Sequence, residues 1–281
     1  MLYFVGLGLF DEKDISLKGL EVLRSVDVVY AEFFTSRLFG SSFKAIEELI
    51  AKEIIVLNRT EVEEENIFMK EATTGKDIAL ICGGDPLIAT THADFIVSAK
   101  KKGIDYEVIH GSSILSSAPG ISGLQGYKFG KVTTIPFPDE NFFPHSPYMT
   151  IANNLENDSH TLVLLDIQAH KDRYMSVNQG LEYLMKVKEE LFLEEKEEKK
   201  DKENKEDKDN KVIIDEDTLA IGIARVGSRD VIVHADKIER LIDFDFGGPL
   251  HCIAIPSKLH IVEAEYLVEV CGAPKEILDD I

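Results

Sequence analysis

Residues 3–16 read YFVGLGLFDEKDIS. An apolar run enters two glycines one residue apart and then meets acid, the pattern of a buried strand running into a tight turn where an α/β sheet places ligand-binding loops. A dinucleotide-binding turn begins the same way but carries a third glycine three residues after the second, where a helix start meets the pyrophosphate. Here that position is Asp11, with Asp14 close behind. Two carboxylates beside a pyrophosphate would repel it, which argues against a nicotinamide cofactor and leaves a turn of structural purpose as the simpler reading.

Outward from this turn the chain alternates short β-rich runs with longer amphipathic ones, the signature of an α/β architecture. Strands are predicted in MLYFVGL, DVVYAEFF, EIIVL, DIALIC and DYEVIH, and helices in SLKGLEVLRSV, SFKAIEELIAK and THADFIVSAKKKG. The last ends in lysines followed by Gly103, which suits a helix C-cap. These elements make one open, mostly parallel sheet with helices in an N-terminal domain, residues 1–118. After the glycine-rich PGISGLQGYKFG a second series begins with KVTTIPF, HTLVLLDI, DTLAIGIARV, VIVHA and LHCIAI, spaced more closely and interrupted by helix patterns over 176–193 and HIVEAEYLVEV. A mixed sheet with helices is predicted for this C-terminal domain, residues 119–281. Residues 194–211, EEKEEKKDKENKEDKDNK, hold no apolar residue, so the tract reads as a charged low-complexity insertion, a frayed helix end or disordered surface loop.

Composition narrows the functional classes. The chain carries 31 Lys plus Arg against 51 Asp plus Glu, a net charge of −20 over 281 residues. The 194–211 tract accounts for only −2 of this, so the acidity belongs to the folded body; such a field repels nucleic-acid phosphates and favours basic partners. Hydrophobic residues at 44% and charged residues at 29% are ordinary globular values. Cys82, Cys252 and Cys271 are far apart and odd in number, which speaks against a disulfide framework or zinc knuckle and for a reducing cytoplasm. No run approaches the roughly 18 apolar residues of a membrane span, and acids interrupt the first run before it reads as a signal peptide.

Two further loops accompany the opening turn. In CGGDPLIATTH, residues 82–92, Gly83 and Gly84 permit unusual dihedrals and close ligand approach, and Pro86 biases Asp85 away from helix. Asp85 is then presented at a strand end, either accepting hydrogen bonds from a ligand's amine or hydroxyls or capping the following turn. In HGSSIL, residues 110–115, small serines leave room beside the backbone. Three small-residue loops at one edge of one sheet favour a pocket there more than any one of them does. The eight histidines show no HxxxH or HExxH spacing, so no metal site is expected, and His92 and His110 read as hydrogen-bonded structural residues. No GxSxG elbow or P-loop is present, and no catalytic triad is defined.

Taken together, YFVGLGLFDEKDISLKGLEVL, GGDPLIATTHADF, YEVIHGSSI, HTLVLLDIQ, RYMSVNQ and FGGPLHCIAIPSKLHIVEAEYLVEVCGAP resemble the diphthine synthase family of the tetrapyrrole-methylase superfamily, in its archaeal-type form. The resemblance covers nearly the whole chain in order; the 194–211 tract departs from it. It implies a two-domain α/β homodimer that binds S-adenosyl-L-methionine, a cofactor without phosphates beside which acids are no contradiction. Carried onto matching positions, cofactor contacts would come from Leu9, Asp85, Ile88, Ser113, Ile114, Leu165, Val226 and His251. The implied substrate is translation elongation factor 2 whose target histidine bears an aminocarboxypropyl group, methylated successively on its amine to the trimethylammonium form, diphthine, within diphthamide biosynthesis. No general base is nominated, because the cofactor supplies the electrophile and the protein's work is mainly alignment and exclusion of water. The alternatives are a corrin or porphyrin methylase, a nicotinamide enzyme, and a non-catalytic partner-binding protein. A polycarboxylate tetrapyrrole would want a basic trough, which the acidic chain disfavours.

Overall fold

The computed structural model describes residues 1–33, 37–201, 214–279 and 281. The chain forms two compact units. The first comprises Met1–Ser117 together with two returning segments, Ile167–Tyr174 and Arg225–Asp230; the second comprises Ala118–Asp166, Met175–Ala224 and Val231–Ile281.

The first unit is built as β1 (Leu2–Gly6), α1 (Leu17–Ser25), β2 (Val28–Glu32), α2 (Phe43–Ile50), β3 (Ile54–Leu57), α3 (Arg59–Glu63), α4 (Ile67–Ala72), β4 (Ile78–Cys82), α5 (His92–Lys101) and β5 (Tyr106–Ile109). All five strands are parallel, in the order β3-β2-β4-β1-β5. The central strand β4, IALIC, is buried throughout, as a strand covered on both faces must be. Strand alternation sorts its neighbours into two cores. Val5, Ala79 and Ile81 face Leu23, Ile46 and Ile50 of α1 and α2, whereas Leu2, Phe4, Ile78 and Leu80 face Val62, Phe68, Met69, Phe95 and Ala99 of α3, α4 and α5. The connection after β1 passes over β4 to reach β2, and that after β4 passes over β1 to reach β5. Strands β1 and β4 therefore form the topological switch point, outside whose carboxyl ends open α/β sheets bind ligands. The predicted strands and helices of this half are all present, and Gly103 has φ +70° just beyond α5. The short helices α3 and α4 are additional: their apolar residues are too few to show a helical period, and they hold helix because Val62, Phe68 and Met69 are buried against the sheet.

The chain passes from one unit to the other within α6 (Ile114–Ser122), which continues through Pro119 and Gly120 into the glycine-rich stretch. The second unit contains β6 (Thr133–Ile135), α7 (Ser146–Glu156), β7 (Thr161–Leu165), α8 (Val177–Asp201), β10 (Leu219–Ala224), β11 (Ile232–Lys237), α9 (Ile238–Leu241), β12 (His251–Ile255) and α10 (Ile261–Glu269). The small hairpin β8 (Ile167–Gln168) and β9 (Arg173–Tyr174) belongs to the first unit. The second sheet has the order β11-β10-β12-β7-β6, antiparallel except for β6 beside β7, and is the mixed sheet expected. Its core joins Ile135, Val163, Ile253 and Ile255 to Leu181, Leu184 and Val187 of α8. Helix α8 extends to Asp201 and so takes up the start of the 194–211 tract; its remainder lies outside the described residues.

A buried polar network ties the second unit together. The Ser257 N–H donates to His160 Nδ1 at 2.9 Å, which leaves the ring proton on Nε2 to donate to Glu263 Oε1 at 3.0 Å. Glu263 also accepts from the N–H groups of Gln125 and His260. His160 and Glu263 are 0% and 1% exposed. Burial holds the imidazole below its ordinary range, against the opposing pull of Glu263. Because the folded value is depressed, this group's contribution is complete above the unfolded imidazole value of about 6.5 and is lost as pH falls below it. Protonation at Nδ1 removes the acceptor of the Ser257 N–H, worth about 1 kcal/mol, or about 2–4 °C in Tm. Thermal melts between pH 7.5 and 5 are expected to fall by this amount more for the wild type than for His160→Gln; parallel curves would assign the acid sensitivity elsewhere.

Candidate functional site

The three loops read from the sequence meet at the carboxyl edge of the parallel sheet, because β4, β1 and β5 are adjacent there. They meet backbone to backbone. Gly8 and Gly84 form an antiparallel bridge, Gly8 N–H to Gly84 O at 3.2 Å and Gly84 N–H to Gly8 O at 2.6 Å, and both adopt positive φ, +88° and +70°. A Cβ built on Gly6 would lie 2.4 Å from Gly84 O and 2.8 Å from Gly111 N, and one on Gly111 would lie 2.3 Å from Gly84 O. Three loops thus share a space that admits no side chain.

The acids of the opening stretch have a structural use. Asp14 Oδ2 accepts from the N–H groups of Phe10 at 2.7 Å, Leu9 at 3.1 Å and Asp11 at 3.4 Å, and Asp11 Oδ1 accepts from Lys13 N–H. The carboxylate that argued against pyrophosphate binding is what shapes the turn. Two other segments of the unit close on it. Gly40 N–H donates to Phe10 O, and Gly227, at φ +95°, would place a Cβ 3.1 Å from that of Phe10 and 3.2 Å from that of Leu9. Val226 is brought beside the first loop in this way, although it is more than 200 residues away in sequence.

Asp85 is 7% exposed. Its Oδ1 accepts from Leu87 N–H at 2.9 Å, the turn cap that sequence allowed, and its Oδ2 binds His110 Nδ1 at 2.7 Å. Each oxygen keeps a second lone pair, so ligand binding and capping are compatible. Ile88 follows in the same turn, its N–H on Asp85 O, and Ser113 Oγ accepts from Leu115 N–H at the start of α6, beside Ile114. Leu9, Asp85, Ile88, Ser113 and Val226 therefore lie on the loops of the first unit, and Ile114 at the first residue of α6 in the same unit. Leu165 and His251 lie in the second, at the end of β7 and the start of β12, and the register of that pair continued by one residue sets them opposite each other. His251 accepts from Val177 N–H at Nδ1 and donates from Nε2 to Gly248 O, so both ring nitrogens serve the fold.

Other chemistry-bearing residues are structural. All three cysteines are free and buried, and burial raises their thiols, Cys252 to about 12 and Cys271 to about 11, which keeps them protonated. His92 is enclosed, 2% exposed, between Phe4 and Phe95 with Nε2 3.6 Å from Glu32 Oε1. Among the described residues, no cluster of three or more His, Cys, Asp or Glu could hold a metal, and no helix is long and apolar enough to cross a membrane. A nucleoside cofactor without phosphates is compatible with the edge: the backbone at Gly84, where a side chain would meet nothing within 4 Å, is open to close approach.

An open parallel sheet with its loops gathered at the switch point, joined to a mixed sheet, defines the class. Residues 1–191 match the family described as tetrapyrrole (corrin/porphyrin) methylases. A diphthine synthase from Methanosphaera stadtmanae is 52% identical over 100% of this chain and 99% of its own length. One from Methanothermobacter thermautotrophicus is 50% identical over 99% and 98%. A crystal structure of diphthine synthase superposes with a TM-score of 0.85 at 35% identity, covering 100% of this chain and 99% of that one. The chain belongs to the tetrapyrrole methylases and, within them, to the diphthine synthase family. It is accordingly an S-adenosylmethionine-dependent methyltransferase, and its fold is that of the family.

Proposed function

We propose that this methyltransferase acts on translation elongation factor 2, methylating the amine of an aminocarboxypropyl-modified histidine in successive rounds to the trimethylammonium form, and that it works as a cytoplasmic homodimer. The observation that carries the reading is 52% identity over the whole chain to a diphthine synthase. The acidic body, at net charge −20, supports it independently: it favours a basic protein surface and disfavours a polycarboxylate tetrapyrrole.

When bound, the cofactor supplies an electrophilic methyl group; the chain's residues hold and align it. Leu9, Asp85, Ile88, Ser113, Ile114 and Val226 are proposed as its contacts on the first unit, and Leu165 and His251 as those on the second. Asp14 fixes the Leu9 turn, and the contact of Gly6, Gly84 and Gly111 fixes the relation of the three loops. Alignment of this kind accounts for most of what such a displacement asks of a protein.

The test is intact-mass analysis of elongation factor 2 after incubation with enzyme and cofactor. Factor bearing the aminocarboxypropyl group should gain methyl mass, factor with unmodified histidine should gain none, and the rate should fall as salt shortens the screening length to about 10 Å at 0.1 M and below that at higher concentrations. Methylation of a corrin precursor with none of the modified factor would overturn the assignment.

A further inference from the structure

We propose that His110 is the base that takes the proton from the acceptor amine before each methyl transfer, with Asp85 holding and orienting its ring. The proposal rests on the substrate reading above. An alkyl amine is carried as an ammonium near neutral pH and has no lone pair with which to attack. Methylation does not abolish this basicity, so the need for deprotonation returns at every round. Alignment by the cofactor loops does nothing for it.

The geometry of His110 suits that work. It follows β5, and Asp85 follows β4, so the 2.7 Å bond from His110 Nδ1 to Asp85 Oδ2 spans the sheet edge across the end of β1. The partner is a carboxylate, which only accepts, so the ring proton sits on Nδ1 and the Nε2 lone pair is left free in the neutral ring. The side chain of His110 is 71% exposed, while that of Asp85 is 7% exposed. A buried acid orienting an accessible imidazole by its far nitrogen is the arrangement that sets the tautomer of a base and stabilises the imidazolium that forms. The glycine contacts make it possible, because Gly111 carries no Cβ and can lie against Gly6 and Gly84. Among the other histidines, His160 is buried with both nitrogens bonded, His251 has both engaged, His92 is enclosed, and His145 pairs by Nε2 with Glu190, a carboxylate that is itself exposed.

The step balances. The ammonium N–H bond breaks and its proton passes to His110 Nε2. The amine lone pair then forms the N–C bond as the methyl C–S bond breaks, its electron pair remaining on the neutral thioether product, and the imidazolium returns its proton to water. Each methyl group added releases one proton, three over the full conversion to trimethylammonium.

Two measurements test the assignment. Ring 15N spectra of the free wild-type enzyme should show His110 protonated at Nδ1 with a lone pair at Nε2, a preference that Asp85→Asn should weaken; an Nε2–H tautomer in the wild type would overturn the proposal. In single-turnover assays on the modified factor, His110→Ala should lose about 10²-fold or more in rate. Cofactor affinity by calorimetry should stay within about twofold, and added imidazole should restore part of the rate. Wild-type rates in His110→Ala, or a loss that follows cofactor affinity and ignores imidazole, would overturn the base while leaving the substrate reading intact. Failure of the wild type itself to methylate the modified factor would overturn the substrate reading, and this inference with it.

Discussion

Replacing Gly111 by alanine is expected to unfold the loop edge of the first unit. The added Cβ would lie 2.3 Å from Gly84 O, 2.9 Å from Gly6 C and 3.0 Å from Gly6 Cα, all backbone atoms. No side chain can rotate away to relieve them. Relief requires β5 to separate from β1, or the Gly8–Gly84 bridge to open, and we expect a loss of about 3 kcal/mol or more, at the upper end of overpacking effects. Cofactor binding, measured by calorimetry, should weaken by tenfold or more, because all three loops shift together. Two other glycines separate sterics from backbone preference. Alanine at Gly84 would meet nothing within 4 Å but must adopt φ +70°, a cost of about 1–2 kcal/mol. Alanine at Gly120, inside α6 with nothing within 4 Å, should be neutral or stabilise by up to about 1 kcal/mol. An order of damage other than Gly111, then Gly84, then Gly120 would show that the crowding does not govern this edge.

Asp14→Ala is expected to disrupt the first loop of the candidate site as severely by a different route. One carboxylate oxygen organises three consecutive N–H groups, those of Leu9, Phe10 and Asp11. Hydrogen bonds to a charged acceptor contribute about 1.5–3 kcal/mol singly and less than additively when shared, so we expect a loss of about 3 kcal/mol. Asp14→Asn keeps one neutral acceptor and should recover about half of the stability. If the turn presents Leu9 to the cofactor, both variants should bind it more weakly, the alanine variant by tenfold to a hundredfold. A large fall in Tm with unchanged cofactor affinity would confine Asp14 to folding and remove Leu9 from the site.

His110 was legible only as a residue that would be hydrogen-bonded, and the structure adds what matters for chemistry. Its partner is Asp85, 25 residues earlier, and its second nitrogen stays open. For Asp85 itself both sequence readings hold part of the truth. The turn cap is local, two residues long, and is implied by the Asp-Pro pair; the bond to His110 depends on β4 and β5 flanking β1. Asp14 shows the reverse error of inference. Its charge was weighed against a ligand, whereas its use is intramolecular, because a carboxylate a few residues after a turn finds the turn's own free N–H groups first.

Hydrophobic period, glycine position and length were enough to determine the strands of the first sheet, the mixed character of the second, and the three small-residue loops at the edge of the first, since each is set by residues within about ten positions of one another. Motifs in order along the whole chain determined the family. Strand order, the face each helix covers, and the return of Arg225–Asp230 and Ile167–Tyr174 to the first unit were decided by tertiary structure alone. The physical reason is that apolar patterning states that a residue is buried and is silent on its neighbour: Val5 and Phe4 are equally apolar, yet they face different helices on opposite sides of one sheet. The same holds for the glycines. Sequence shows Gly6 and Gly111 only as small residues, and the packed edge, where a side chain on either would run into Gly84 O and the other's backbone, makes them obligatory.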